Sequence, residues 1–308
     1  MNNEKIIIFL SIDKIYLVPA TVTIFSLLKN NPTQTFRIYL AAEENGIDWI
    51  NPLLQLIQEM GSEPILKPIN GEIISKLTLN LHITHATYYR IMAAELIDEA
   101  KAIYLDSDMV IHGDISELWE LDLGEYPLGA VEDPLIRDVQ RLGLADEHGY
   151  FNSGTLYMNL NQWRKMDLGT QVIDFARHNP GIIPYLDQCS LNAVLKGNWY
   201  RLDPKWNLQS ALVDLKTKEL SASFFSDESF KEAIQSPRII HYTGVPKPWN
   251  MGATHPYTFL FWEYLNQTNQ ARKLPLNFTV LNLIKSWFPL SVKKKYWRFL
   301  KKKELPLQ

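Results

Sequence analysis

A single cysteine, Cys189, occurs in the whole sequence. That scarcity excludes an internal disulfide framework and any thiolate zinc site, and it points to a reducing compartment. Long apolar runs are missing too. The run Ile6 to Leu10 is followed closely by Asp13 and Lys14, far short of the ~20 residues a membrane span needs. It reads as a first strand, and no secretory leader is visible. No G-x-G-x-x-G follows that strand and no G-x-x-x-x-G-K occurs, which disfavours the usual dinucleotide fold and a P-loop. There is no H-E-x-x-H, no sign of a Ser/His/Asp triad, no internal repeat and no low-complexity linker.

What is present is a chain of 308 residues, 46% apolar and 12% aromatic, enough for a sizeable core and one or two domains. The net charge of −3 hides an asymmetry. From Arg272 onward there are ten basic residues against one acid, Glu304, so this tail carries +9 and the remainder −12. The composition changes near 267–273, which suggests a body over 1–270 and a basic tail over 271–308. Trp287, Phe288, Tyr296, Trp297 and Phe299 are interleaved with the tail's lysines. That pattern suits an anionic membrane surface, where each basic residue contributes ~1 kcal/mol; the alternative is a solvated terminal helix packing its aromatics on the body. The expectation is a cytoplasmic protein, peripheral on the inner face of the cytoplasmic membrane. An acidic body argues against nucleic acid as a partner.

Strand-like runs at 5–11, 36–41, 65–69 and 102–105 alternate with helical periodicity at 18–28, 49–60 and 86–96. Such alternation implies an α/β fold with a parallel, doubly wound sheet. Beyond it, 128–131, 154–159 and 237–242 read as strands, and 160–178 and 188–195 as helices.

The run Ala102-Ile103-Tyr104-Leu105 stops at Asp106-Ser107-Asp108. A buried strand ending in two carboxylates one residue apart delivers oxygen ligands to the crevice where α/β proteins bind their ligands. The two acids repel each other unless a cation lies between them, and a hard divalent cation suits oxygen ligands. Alternatively they open a solvated polar loop. His241, at the end of the strand 237–242, offers a third ligand; Gly244 and Lys247 after it could admit and neutralise a phosphate. Asp187-Gln188 could point into a cleft, or Asp187 could merely cap a helix. Asn152 could bond a hydroxylated ligand or take a turn conformation. Arg90 could reach a phosphate or a sugar hydroxyl, or lie on a solvated helix face.

Taken in order, Thr87-Tyr88-Tyr89-Arg90, Tyr104-Leu105-Asp106-Ser107-Asp108, Leu128 to Asp133, Phe151-Asn152-Ser153-Gly154, Asp187-Gln188 and His241-Tyr242-Thr243-Gly244 with Lys247-Pro248-Trp249 resemble family 8 of the retaining glycosyltransferases, especially the bacterial lipopolysaccharide galactosyl- and glucosyltransferases. The resemblance implies a GT-A fold: a Rossmann-like nucleotide-binding sheet merged with an acceptor-binding half. It implies a UDP-hexose donor, a glycan or glycolipid acceptor, and Mn²⁺ (Mg²⁺ as the alternative) held by Asp106, Asp108 and His241. Gly244 and Lys247 would contact the diphosphate. Arg90, Asp133, Asn152, Asp187 and Gln188 would surround the transferred sugar, with Asp187 and Gln188 beside its anomeric carbon, and Ser107 would join the donor contacts. The family often carries two acids followed by Asn-Tyr after the first strand, where uridine binds. Here that stretch reads Ser11-Ile12-Asp13-Lys14-Ile15-Tyr16, leaving Ser11, Asp13 and Tyr16 as candidates. The rival readings are another metal-dependent sugar-phosphate enzyme and a non-catalytic sugar-nucleotide-binding or membrane-scaffold protein.

Overall fold

The computed structural model describes residues 5–70, 86–213, 224–253, 255–271 and 274–279. Two compact units divide at 243/244. That line follows packing, whereas the boundary at 270 followed composition. The tail from 280 lies outside the described residues.

The first unit is built on a seven-stranded sheet in the order β3-β2-β1-β4-β7-β6-β8. Its strands are β1 (Ile6–Ser11), β2 (Phe36–Glu43), β3 (Glu63–Ile69), β4 (Lys101–Leu105), β6 (Leu128–Glu132), β7 (Phe151–Asn159) and β8 (Tyr200–Arg201). All six residues of β1 are buried; a continuous apolar strand needs cover on both faces, which places it mid-sheet. β1 pairs in parallel with β2 on one side and β4 on the other. The chain therefore winds in opposite directions from β1, and the crevice this opens lies beyond the carboxyl ends of β1 and β4, at Ser11 and Asp106. The sheet is not wholly parallel: β7 runs antiparallel to β4 and to β6.

A second sheet of three strands, β5-β10-β9, joins β5 (Met109–Ile111), β9 (Leu208–Gln209) and β10 (Ile239–His241). β5 is antiparallel to β10, with His241 opposite Met109, and the Tyr242 N–H donates to the Asp108 carbonyl at 3.0 Å. This register carries the histidine to the acidic pair.

The free edge of β5 is met by side chains of α1 (Leu17–Asn30). Thr23 Oγ1 donates to the carbonyls of Ser107 and Met109 at 3.0 and 2.9 Å and accepts the Met109 N–H at 3.1 Å. Ser26 Oγ accepts the Ile111 N–H, and Asn30 Nδ2 donates to the Ile111 carbonyl. The spacing 23, 26, 30 puts all three on one helix face. In a mostly apolar helix this stripe supplies the partners a missing strand would have given.

Further helices are α2 (Asn51–Glu59), α3 (Ala86–Tyr89), α4 (Leu160–Met166), α5 (Leu168–His178), α6 (Leu186–Leu195) and α7 (Asp227–Gln235). Three expectations need correction. The helix read over 160–178 is two helices, broken where Asp167 takes a left-handed backbone with φ 51°; Asp tolerates that conformation better than most residues. The helix read over 86–96 tightens to a 3-10 turn at Arg90–Met92. The strand read from 154 begins at Phe151, so Asn152 sits in a strand and not in a turn.

In the second unit, α8 (Thr258–Leu265) packs Phe261 on Trp249, ring centroids 5.3 Å apart, and Trp262 Nε1 donates to the Pro248 carbonyl.

Thr23→Val keeps the shape and removes three hydrogen bonds to the 107–109 backbone. It should lower the unfolding free energy by about 1–3 kcal/mol, read as an earlier urea midpoint, and Thr23→Ser should restore most of the loss. An unchanged midpoint in the valine variant would show that the stripe does not hold β5.

Candidate active site

Asp106 lies where β4 ends, its N–H donating to the Gly154 carbonyl of β7 at 2.8 Å. Its two oxygens have different partners. Oδ1 accepts from Tyr104 Oη and pairs with Arg90 Nη2, both at 2.9 Å. Oδ2 faces His241 Nε2 at 3.6 Å, and Asp108 Oδ1 lies 3.2 Å from the same nitrogen. One ligand atom from each of Asp106, Asp108 and His241 falls within 4.8 Å of the others.

The proton on His241 Nδ1 follows from its neighbours. Nδ1 lies 3.0 Å from Asn207 Oδ1. Asn207 Nδ2 donates to Asn152 Oδ1 at 2.9 Å, and Asn152 Oδ1 also accepts the Gly154 N–H at 3.0 Å. A backbone N–H can only donate, so it fixes Asn152 with its oxygen inward. That fixes Asn207 with its oxygen toward the imidazole, and Nδ1 must carry the proton. With Nδ1–H directed at Asn207, Nε2 is the ring nitrogen that faces the carboxylates, the atom a cation would take. The donor set fits a divalent cation: two carboxylates and an imidazole nitrogen turned toward them.

The sequence admits this crowding at one place. A Cβ on Gly154 would lie 2.2 Å from His241 Cε1, 2.6 Å from Nδ1 and 2.9 Å from Asp106 Oδ2. The pairing of β6 with β7 shifts register between Ala130 and Val131, whose partners jump from Leu156 to Asn152. This irregularity leaves Ser153, Gly154 and Thr155 without partners on β6, and the backbone of Ser153 and Gly154 serves the site instead.

Arg90 is buried, 6% exposed. Its Nε lies 3.1 Å from Asp187 Oδ2 and 3.1 Å from the Thr87 carbonyl, Nη1 donates to the Ser153 carbonyl at 2.7 Å, and the guanidinium lies 4.5 Å from the Tyr104 ring centre. Burial alone would lower its hold on the proton, but Asp106 and Asp187 raise it well above its ordinary value. Asp187 opens α6 beside Leu186, whose φ of 45° is left-handed. Burial pushes the Asp187 carboxyl up to about 6 against the pull of Arg90, with Asp106 adding to the rise. Gln188 Oε1 accepts from the Ser153 N–H at 3.0 Å and from Asn152 Nδ2 at 3.2 Å, while Nε2 donates to Tyr150 Oη at 3.3 Å. Asp133 is pushed up to about 6 by burial, opposed by the Leu135 N–H, Gln188 and Asn152. It borders an open cleft of about 260 Å³ lined also by Pro134, Arg137, Gln140 and Tyr150.

The sequence candidates therefore divide. Asp106, Ser107, Asp108, His241, Arg90, Asp133, Asn152, Asp187 and Gln188 form one linked cluster. Ser11 adjoins it: its carbonyl accepts from Ser107 Oγ at 3.1 Å, and its own buried hydroxyl has no hydrogen-bond partner. Asp13 caps the turn after β1, its Oδ1 accepting the Tyr16 N–H at 2.9 Å. Gly244, with φ 71°, and Lys247 belong to the second unit. Sequence reasoning missed Asn207 and Tyr150 as participants. Ser153 and Gly154 were within a quoted motif, but the bonds of Ser153 to Arg90 and Gln188 and the contact of Gly154 with His241 were not foreseen.

Gly154→Ala should keep the fold and displace His241, which Asn207 holds from behind. Disturbing a ligating histidine in this way should weaken Mn²⁺ binding about 10–100-fold. Mn²⁺ affinity measured by calorimetry, alongside the circular dichroism spectrum, checks it; wild-type affinity would mean the crowding is relieved elsewhere.

The chain was compared with known proteins. Residues 7–253 match the model of glycosyl transferase family 8. General stress protein A of Bacillus subtilis (strain 168) is 37% identical over 193 residues, covering 61% of this chain and 67% of that protein. The lipopolysaccharide 1,2-glucosyltransferase of Escherichia coli (strain K12) is 28% identical over 263 residues, 83% of this chain and 76% of that one. The chain spans only 60 to 62% of the length of the Streptococcus pneumoniae glycosyltransferases GlyF, GlyE and GlyB that it also matches. Among solved structures, galactosyltransferase LgtC, crystallised with donor and acceptor sugar analogues, superposes with a TM-score of 0.75 at 24% identity, over 87% of this chain and 98% of that one. The shared architecture is the GT-A fold, an α/β sheet dominated by parallel strands. With four-fifths of its length matched by the family model, the chain belongs to glycosyl transferase family 8.

Proposed function

We propose that this protein moves a hexose, galactose or glucose, from a UDP-sugar to a glycan or glycolipid acceptor of the cell surface, with retention at the anomeric carbon. The observation that carries the reading is the convergence of ligand atoms of Asp106, Asp108 and His241 within 4.8 Å, with Nδ1 of the histidine directed away at Asn207. These three residues would hold Mn²⁺ or Mg²⁺, which supplies positive charge against the diphosphate as the leaving group departs. The relatives named above as glucosyl- and galactosyltransferases support hexose transfer.

The chain's own residues suit such a reaction. Arg90 pairs with both Asp106 and Asp187 and so offsets part of the negative charge gathered at the site. Asp187 would steady positive charge that develops on the sugar ring. Gln188 is a poor nucleophile, being an amide, and its Oε1 already accepts two N–H donors. Same-face attack fits better: the acceptor oxygen bonds to the anomeric carbon, the bond from that carbon to the phosphate oxygen breaks, and the departing oxygen takes the acceptor's proton. Asp133, at the edge of the cleft, and Asn152 would contact the sugar. Ser11, Ser107, Asp13 and Tyr16 would serve the nucleoside end. For Gly244 and Lys247 the family resemblance alone carries a diphosphate role.

A donor screen with UDP-glucose, UDP-galactose and UDP-N-acetylhexosamines plus Mn²⁺, scored by UDP release, tests the whole reading. One hexose should be turned over, and Asp108→Ala should abolish both turnover and Mn²⁺-dependent UDP binding. Binding without UDP release would favour the non-catalytic alternative, and retained turnover in Asp108→Ala would sink the metal assignment.

Among the described residues, no helix is long and apolar enough to cross a membrane. The +9 charge and interleaved aromatics of the tail support a place on an anionic leaflet beside a lipid-linked acceptor. The full chain should co-sediment with anionic vesicles and a 1–270 truncation should not; equal binding by both would refute the membrane role.

A further inference from the structure

Asn207 has no place in the reading above, yet it touches both halves of the site. It is fully buried and lies between His241 and Asn152. Each of its two polar atoms serves a different partner: Oδ1 faces the imidazole Nδ1, and Nδ2 donates to Asn152 Oδ1. Asn152 in turn gives its Nδ2 to Gln188 Oε1. Four side chains thus form one directional chain, His241–Asn207–Asn152–Gln188. It is pinned at two points by backbone donors, the N–H groups of Gly154 and Ser153.

An amide alone could point either way, since its two ends have nearly the same shape. Here the directions are coupled. Turning Asn207 over would set its Nδ2 against the imidazole and its Oδ1 against Asn152 Oδ1. Relieving that second clash would require Asn152 to turn, which opposes it to the Gly154 N–H and to Gln188. No single reversal is free of a mismatch.

We infer that Asn207 is a positioning residue with two linked tasks: it sets the tautomer that leaves His241 Nε2 able to bind a divalent cation, and through Asn152 it reinforces the orientation that the Ser153 N–H gives the Gln188 amide beside the sugar. The metal site and the sugar pocket are thereby parts of one hydrogen-bond chain. The second task predicts that a change at 207 can harm turnover while sparing the cation.

Two substitutions separate the tasks. Asn207→Ala removes the acceptor for Nδ1–H and should weaken Mn²⁺ binding about 10–100-fold, the usual loss when the partner of a ligating histidine goes. Asn207→Asp keeps an acceptor for Nδ1–H but sets an oxygen, where the amide nitrogen was, against Asn152 Oδ1. Its Mn²⁺ affinity should stay within about 3-fold of wild type, while kcat for UDP release falls at least about 10-fold. Calorimetry with Mn²⁺ alone gives the affinities, and a thermal midpoint confirms that each full-length variant is folded. Should the alanine variant not fold, the aspartate variant still decides the matter. Wild-type Mn²⁺ affinity in folded Asn207→Ala overturns the tautomer task. Lost affinity in Asn207→Asp overturns it as well, because an acceptor would then not suffice. Wild-type kcat in Asn207→Asp overturns the link to Gln188. The inference rests on the proposed metal site: a wild-type protein that binds no Mn²⁺ sinks both together. A wild type that binds Mn²⁺ but releases no UDP sinks the transferase reading and the link to turnover, and leaves the tautomer task to the calorimetry.

Discussion

The hydrogen bond from the Gly154 N–H to Asn152 Oδ1 is the contact on which the order of this site depends. Side-chain amides and imidazoles can reverse their polarity, but a backbone N–H cannot. By presenting one fixed donor to Asn152 and another, from Ser153, to Gln188, the bulged strand β7 removes that freedom from every group behind them. The bulge itself needs a residue without a Cβ, because the imidazole of His241 occupies the space where one would go. Backbone geometry, residue choice and protonation state are therefore one constraint.

Charge is the second constraint. Asp106 and Asp187 flank a single guanidinium, Asp108 joins Asp106 before His241, and Asp133 lies nearby. Arg90 can neutralise only part of that charge, and burial makes the remainder costly. The rise of Asp187 and Asp133 to about 6 expresses this cost. The asymmetric use of Asp106 eases it. One oxygen is committed to Arg90 and Tyr104, and the other faces His241. Removing Arg90 would leave two carboxylates without their counter-charge, so its effect on stability should be difficult to separate from its effect on the site.

Those parts of the fold that depend on continuous apolar runs were legible in the sequence. β1, β2 and β4 are such runs, and the carboxylates at the end of β4 marked the crevice. Parts held by side-chain partners were not. β5 has only three residues, and half of its support is the polar stripe Thr23, Ser26 and Asn30, which reads locally as a few hydrophilic positions on an apolar helix. The break at Asp167 escaped because the sequences on both sides favour helix. Asn207 carried no local signal at all: it lies 34 residues from His241 and 55 from Asn152, and the pairing of β9 with β10 is what brings it to the histidine. The motif Phe151-Asn152-Ser153-Gly154 was recognisable as a unit, but the reason for its glycine lies in the imidazole across the site.

The turn after β1, where this chain departs from the family pattern, is where packing constrains it least. Ser11 and Ile12 are buried, whereas Lys14 and Ile15 are exposed, Ile15 by 78%. Their side chains can change without disturbing the end of β1. Asp13 uses Oδ1 to cap the turn, and a carboxylate with one oxygen so engaged still has a second that can accept. The buried Ser11 hydroxyl, beside Ser107, has no hydrogen-bond partner, a state that costs about 1–3 kcal/mol unless a ligand satisfies it. The polar groups available at this end of the crevice are thus set by the strand end and the turn cap, so the outward side chains at 14 and 15 can vary without touching the acidic pair, the histidine or the bulge.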